Sequence, residues 1–305
     1  VALDANNKLT FGAEYKKEGR TDSSVDRKAG QYSYFAHDEL RVGDKLLVIP
    51  AIRLDKHDEF GGQTSPSLGA TYAFTDNSRF KANYGKGFRA PTVYELYGTM
   101  MGMVNIGNPN LKPESSYNFD FSVEKDWKRT NVKASYFHNV IKNYIESGAN
   151  RIDMANRRIY VSYSNLPRAV LQGVELSVNH KLNDKWDVFG NYTYLDAKND
   201  VTHNRLLNRG RHVFSGGVNY HQGRWTGAFW GNYYINYLDG IDAIVVNPRL
   251  SIPKKKNIQT WNVMVTRQLN DNASMYVGVE NIFGEKQDLR DIHGATYRMG
   301  LNLRM

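Results

Sequence analysis

The chain has 305 residues, with Gly 26, Tyr 20, no cysteine and a formal net charge of +9. Its mean hydropathy of −0.59 excludes a helical membrane protein, and no run reaches the length of about 18 apolar residues that a spanning helix needs. The lack of cysteine excludes disulfide scaffolds and thiolate metal sites, and scattered Lys and Arg argue against nucleic acid. A membrane barrel passes all three tests, because lipid-facing and lumen-facing residues alternate and cancel in the average. The basic excess then points to lipid A phosphates or an anionic ligand. The first residues, VALDANNKLTFGAEYKKEG, show no basic stretch leading into an apolar core, so no signal peptide is expected, as in a mature or truncated chain or a cytosolic one.

In chain order, KLTFGAEY opens with Leu9, Phe11, Ala13 and Tyr15 on one face. SPSLGATYAF repeats the period with Pro66, Leu68, Ala70, Tyr72 and Phe74. The cleanest sample is SSYNFDFSVEK, with Tyr117, Phe119, Phe121 and Val123 against Asn118, Asp120, Ser122 and Glu124. QGVELSVNH places Val174, Leu176 and Val178 together, and the last segment does so with Tyr297, Met299, Leu301, Leu303 and Met305. Period two over such lengths means strands with one apolar and one polar face. No segment carries helical periodicity over three turns.

Tight polar turns, TDNS (75–78), LNDK (182–185), QGR (222–224) and NDNA (270–273), alternate with long connections near 18–29, 56–64, 87–112, 146–157, 197–210, 237–256 and 284–294. In an up-and-down antiparallel sheet, alternate connections share an edge, so one edge is short and the other carries the loops, as in outer-membrane barrels. The expectation is an all-β, antiparallel up-and-down transmembrane β-barrel with about 14 strands of about ten residues each. Trp127, Tyr144, Trp186, Tyr194, Trp225 and Tyr237 fall at strand ends, where interfacial girdles belong. A soluble sandwich also alternates; a propeller would repeat every 40–50 residues or so, and no such repeat is visible.

The longest irregular stretch, KGFRAPTVYELYGTMMGMVNIGNPNLKPESS (86–116), carries Arg89 at its mouth with methionines and tyrosines behind it. GFRAPTVYELYG followed by GNPNLKPESSYNFDFSVE resembles TonB-dependent outer-membrane receptors, importers of ferric siderophores, haem and cobalamin. YSNLPRAVLQGVELSVNHKL, WDVFGNYTYLDAKN with LLNRGRHVFSGGVNY, and VGVENIFGEK add to the resemblance, in order, from about residue 65 onward. The resemblance implies a 22-stranded barrel closed by an N-terminal plug that contacts TonB. Residues 1–305 are accordingly expected to be the C-terminal portion of such a barrel, without its plug and first strands. Left alone, that portion would expose two open sheet edges, which lipid does not tolerate.

The expected function is energy-dependent import of a ferric siderophore, anionic and catecholate-like, by a monomer in the bacterial outer membrane. The long loops would be extracellular, lipopolysaccharide would be a neighbour, and TonB would act through the plug. No resident cofactor or metal is expected. The expected ligand contacts are Arg89, Tyr94, Tyr97, Met100, Met101, Met103, Arg205 and Arg209. Met repacks and makes sulfur–aromatic contacts, Tyr offers flat area, and Arg both steers and holds an anion. Pro91, Pro109 and Leu111 read as structural. In haem-importing relatives a histidine between the two boxes ligates iron; no histidine lies between Phe88 and Leu111 here, which favours a metal chelate over haem, with haem or cobalamin import as the alternative within the family. His57, His203 and His293 are expected to be solvated in loops, and Lys254–Lys256 to be surface charge. Asp55, Asp58 and Glu59 near His57 read as an exposed loop. With no G-x-S-x-G, an enzyme is not expected. A passive porin-like barrel is the alternative of another class.

Overall fold

The computed structural model describes residues 2–4, 6–21, 26–98, 104–153, 158–239, 254–286, 292 and 294–304. Among them the strands are β1 (Ala2–Asp4), β2 (Asn7–Thr21), β3 (Asp26–Val42), β4 (Leu46–His57), β5 (Gly61–Thr75) and β6 (Ser78–Arg89). A short helix, α1 (Val93–Tyr97), and β7 (Val104–Ile106) follow. Then come β8 (Glu114–Asp126), β9 (Thr130–Asp153), β10 (Arg158–Lys181), β11 (Trp186–Asn199), β12 (His212–Gln222), β13 (Trp225–Asp239), β14 (Lys254–Asn270), β15 (Ala273–Glu280) and β16 (Thr296–Leu303). Apart from the three-residue β1 and β7, the strands follow chain order along the sheet, and β7 pairs with β10 in parallel. The described residues thus contain fourteen longer strands, of eight to 24 residues each.

The chain divides into two compact units, Val1–Ser122 with Tyr136–Gln172 and Ala197–Leu206, and Val123–Ser135 with Gly173–Asp196 and Leu207–Met305. In the first, β2 and β3 pair without interruption from Asn7↔Leu40 to Thr21↔Asp26, and β3 to β6 continue the meander. One face of this meander exposes Phe11, Tyr34, Leu54, Leu68 and Tyr84. The opposite face is polar: buried Asp55 accepts at one oxygen from Ser33 Oγ at 2.6 Å and from Arg53 Nε at 2.9 Å, and Arg53 Nη2 reaches the exposed Glu14 at 2.8 Å.

In the second unit β11 to β16 form another antiparallel meander. Phe214, Val265, Val277 and Leu301 stand out on one face, and Met299 is 85% exposed. The other face is amide-rich; Asn219 Nδ2, for instance, donates to Asp187 at 2.7 Å. The face predicted from period two, including Tyr117, Phe119 and Phe121, is therefore the exposed one. A sheet with one continuous exposed apolar face and its polar groups on the other is patterned for hydrocarbon on one side only.

Turns 43–45, 76–77, 127–129, 182–185, 223–224 and 271–272 are short. Gly43 and Gly223 supply positive φ in two of them, and Asn183 Oδ1 accepts from the amides of Lys185 and Trp186 in another. Three connections expected to be long are instead mostly strand: β2 and β3 stop at Thr21 and Asp26, β4 and β5 at His57 and Gly61, and β9 and β10 at Asp153 and Arg158. Where water lies on both sides, a paired hairpin needs no apolar face, so its extension leaves no alternation to read. The girdle expectation holds on the short-turn side, where Trp127, Trp186 and Trp225 are exposed; Tyr237, by contrast, is buried at 8%.

Candidate functional site

The loop between β6 and β8 is built around Arg89. Its Nε and Nη2 donate to the two carboxylate oxygens of Glu114 at 2.8 and 2.9 Å, while Nη1 donates to both oxygens of Glu95 at 3.1 and 2.9 Å. The side chains of Glu95 and Glu114 are only 14% and 12% exposed, so each needs the cation. Together they raise the Arg89 pKa above its ordinary value; the Glu114 hydrogen bond acts most strongly, against the opposing effect of burial, and Glu95 adds to it. Glu114 Oε1 also accepts from the Ile145 amide at 2.7 Å, which ties the loop base to β9.

Helix α1 begins with a reciprocal cap. Thr92 Oγ1 accepts from the Glu95 amide at 3.1 Å, and Glu95 Oε2 accepts from the Thr92 amide at 2.8 Å. Glu18 Oε1 takes the Val93 amide at 3.0 Å. Beneath the helix, Leu96, Leu111 and Ile145 form a buried cluster flanked by Phe60, Tyr97 and Tyr163. The second box closes on the helix: Gly107 N donates to Gly98 O at 2.9 Å and Asn108 N to Glu95 O at 2.8 Å. A Cβ on Gly107 would lie 2.4 Å from the Tyr97 nitrogen, so only glycine allows this approach. Asn165 binds both backbone groups of Lys112, at 2.8 and 2.9 Å. The two boxes are thus one hydrogen-bonded body.

That body presents Tyr94 and Tyr97 to the β2–β3 hairpin. The Arg20 guanidinium lies 4.9 Å from the Tyr94 ring centre and that of Arg27 lies 5.2 Å from Tyr97. Arg20 and Arg27 face each other across the hairpin in register. Two like charges placed opposite one another are unfavourable by themselves, so a pair of arginines stacked on a pair of tyrosines makes a cationic, aromatic platform suited to a flat anion. Neither arginine is among the contacts expected from sequence; the available signal is their place in the connection near 18–29.

Among the other expected contacts, Arg205 sits in a bridge opposite Lys198 within the first unit. Arg209 belongs to the second unit, where its Nη1 donates to Leu207 O at 2.8 Å. Met100, Met101 and Met103 lie outside the described residues. His57 is not solvated as expected: it is 9% exposed, accepts from the Glu59 amide at 3.1 Å and packs on Phe60. Asp55 is likewise a buried strand residue, not part of an exposed loop, because Ser33, Gln31 and Arg53 supply its hydrogen bonds. His203 is exposed at a positive φ, and His293 lies outside the described residues.

The family model described as TonB dependent receptor-like, beta-barrel matches residues 1–282. The ferric enterobactin receptor of Pseudomonas aeruginosa is 32% identical over 195 residues, covering 56% of this chain and 26% of the relative. The ferrienterobactin receptor of Escherichia coli strain K12 is 27% identical, covering 92% and 41%. Heme/hemopexin utilization protein C of Haemophilus influenzae is 29% identical, covering 69% and 34%. The solved structure of the siderophore receptor PirA from Pseudomonas aeruginosa matches with a TM-score of 0.74 at 22% identity, over 97% of this chain and 53% of that one. The chain therefore spans about half the length of that structure and less than half of these curated relatives. With its exposed apolar sheet face, its short turns on alternate connections and a family match across most of its length, the chain belongs to the TonB-dependent receptor-like β-barrel family.

Proposed function

We propose that this chain acts, as part of a longer outer-membrane receptor with a plug, in TonB-driven import of a ferric siderophore of the catecholate type. The observation that carries this reading is the platform of Arg20, Arg27, Tyr94 and Tyr97 on the pinned loop. An anionic, aromatic chelate needs that combination, positive charge for its net charge and flat apolar area for its rings. Relatives named as enterobactin receptors support the substrate class. Arg89 serves the ligand indirectly, by holding the helix that carries the tyrosines. Met100, Met101, Met103, Arg205 and Arg209 stay in the proposal as further contacts. The receptor works as a monomer, with its long connections outside the cell and lipopolysaccharide around them.

Haem import is the second reading, favoured by the relative named for haem/hemopexin utilization and opposed by the lack of histidine between Phe88 and Leu111. Titrating the complete receptor with ferric enterobactin, haemin and cobalamin separates the readings. The Arg20→Ala, Arg27→Ala double variant is expected to weaken ferric enterobactin at least tenfold, a loss of about 1.4 kcal/mol, and to weaken it less in high salt. Tight haemin binding with no response to ferric enterobactin would sink the siderophore reading.

A further inference from the structure

Several strand glycines lie under an aromatic ring of the neighbouring strand. Phe35 covers Gly12, Tyr276 covers Gly300 and Trp261 covers Gly231, with ring atoms 2.5 Å from where each Cβ would be. Such pairs restore the apolar area that glycine removes. One pair breaks the rule. In the second unit Gly190 stands opposite Gly216, so neither supplies a ring, and nothing lies within 4 Å of a Cβ built on Gly190.

The registers extend the gap into a row. Gly216 pairs with Gly231, and Gly231 with Trp261, so three glycines stand abreast on β11, β12 and β13 before the indole closes the row. The Trp261 N–H is occupied by Gln259 at 3.3 Å, and its ring stacks on Phe229 at 5.4 Å. Leu176, Val178 and Phe214, all exposed, flank a shallow open groove of about 410 Å³. The groove belongs to the outward apolar face and continues its surface. Lys133, Glu175 and Thr193, on β9, β10 and β11, line a separate polar pocket.

Toward the short-turn end the chemistry changes. Trp186 and Tyr220 pair at 4.6 Å, and the Arg267 guanidinium lies 5.1 Å from the Trp225 ring centre. Lys185 and Arg224 sit in the adjoining turns. Gly190 is four residues from Trp186, about 14 Å along the strand and about 10 Å in depth at the usual tilt. That depth lies inside one leaflet, whose hydrocarbon is about 15 Å thick.

We propose that the uncovered pair Gly190–Gly216, bounded by the indole that sits on Gly231, holds one acyl chain of an anionic phospholipid in the leaflet on the short-turn side, with its phosphate among Lys185, Arg224 and Arg267. The proposal rests on the outer-membrane reading above and adds a specific lipid to it. A chain laid in the row fills a gap that bulk lipid would leave disordered, and the cations select the headgroup.

The test is native mass spectrometry of the complete, detergent-purified receptor titrated with dipalmitoyl-phosphatidylglycerol, and separately with lipid A. One phosphatidylglycerol per receptor should persist at activation that strips the rest. Gly190→Leu fills the row from a position with open space above it and should weaken retention about tenfold. Its heat-dependent gel mobility, which reports a folded barrel, and its binding of ferric enterobactin should stay as in the parent. If Gly190→Leu does not fold, Gly190→Ser is expected to lower retention by putting a hydroxyl on the groove floor. Equal retention by parent and variant, preference for lipid A, or loss of a bound second copy in place of lipid would each overturn the proposal. Failure to bind ferric enterobactin with retention intact would instead count against the transport reading alone.

Discussion

Two irregular segments of this chain are anchored by opposite chemistry. The loop after β6 is held by a charge, Arg89, shared between two carboxylates. The segment after β15 is held by a neutral amide, Asn281, at positive φ and 7% exposure. Asn281 Nδ2 donates to Glu285 O at 2.7 Å and Gly294 O at 3.3 Å, its Oδ1 accepts from the Glu285 amide, and its own N–H reaches Asn262 Oδ1. An amide carries donor and acceptor together and can satisfy a turn by itself. A guanidinium offers donors only, so it brings acceptors from different parts of the chain to one point. The charged anchor therefore gathers two carboxylates at one cation, whereas the neutral one closes its own turn to Glu285 and uses its remaining donors on Gly294 and Asn262.

The largest expected effect breaks the charged anchor. Arg89→Ala leaves Glu95 and Glu114 nearly buried without a cation, and should destabilise the loop by about 2–4 kcal/mol; the lower part of the range for a broken buried pair applies because Arg89 itself is partly exposed. Proteolysis within residues 90–113 of the complete receptor should accelerate while the barrel keeps its heat-dependent mobility. Arg89→Lys should recover only part of the loss, since an ammonium cannot make two bidentate contacts. An unchanged cleavage rate in Arg89→Ala would mean that the network adds nothing to the loop.

Next comes the neutral anchor. Asn281→Asp keeps size and shape but replaces a two-hydrogen donor with a carboxylate aimed at the Glu285 and Gly294 carbonyls. The expected cost is about 2–3 kcal/mol, more than for Asn281→Ala, because repulsion adds to the lost bonds. Hydrogen exchange at the Glu285 amide reads it locally. If Asn281→Ala proves the worse of the two, the Oδ1 acceptor for the Glu285 amide, which Asp keeps, outweighs the two donated bonds.

The strands and their two faces were legible because hydrocarbon on one side and a polar interior on the other force period two onto Tyr117, Phe119 and Phe121 just as onto Val174, Leu176 and Val178. The anchors were less so. Arg89 stood out, but its partners lie six and 25 residues away, and only the folded loop brings them together. The helix start was written locally as Thr92 with Glu95 three residues on, a capping box that a search for three full turns passes over. Arg20 and Arg27 fall in a stretch expected to be a long connection, and only the paired hairpin with α1 against it brings them to the tyrosines. The glycine row was invisible for a different reason: it exists only in the registers of three strand pairs, and no single strand contains it.

The smallest effect refines the comparison inside the charged anchor, where Glu95 both caps α1 and pairs with Arg89. Thr92→Ala removes the acceptor for the Glu95 amide and leaves the carboxylate on the guanidinium. It should cost about 1 kcal/mol, as N-cap losses do, and speed exchange of that amide about fivefold. Thr92→Ser keeps the oxygen and should exchange as the parent does. If the cap and the ion pair support each other, the Thr92→Ala, Arg89→Ala double variant will lose less than the two single losses added together, because a carboxylate already released from one partner has less geometry left to lose. Strict additivity would show instead that helix and ion pair are separate devices that happen to share a residue.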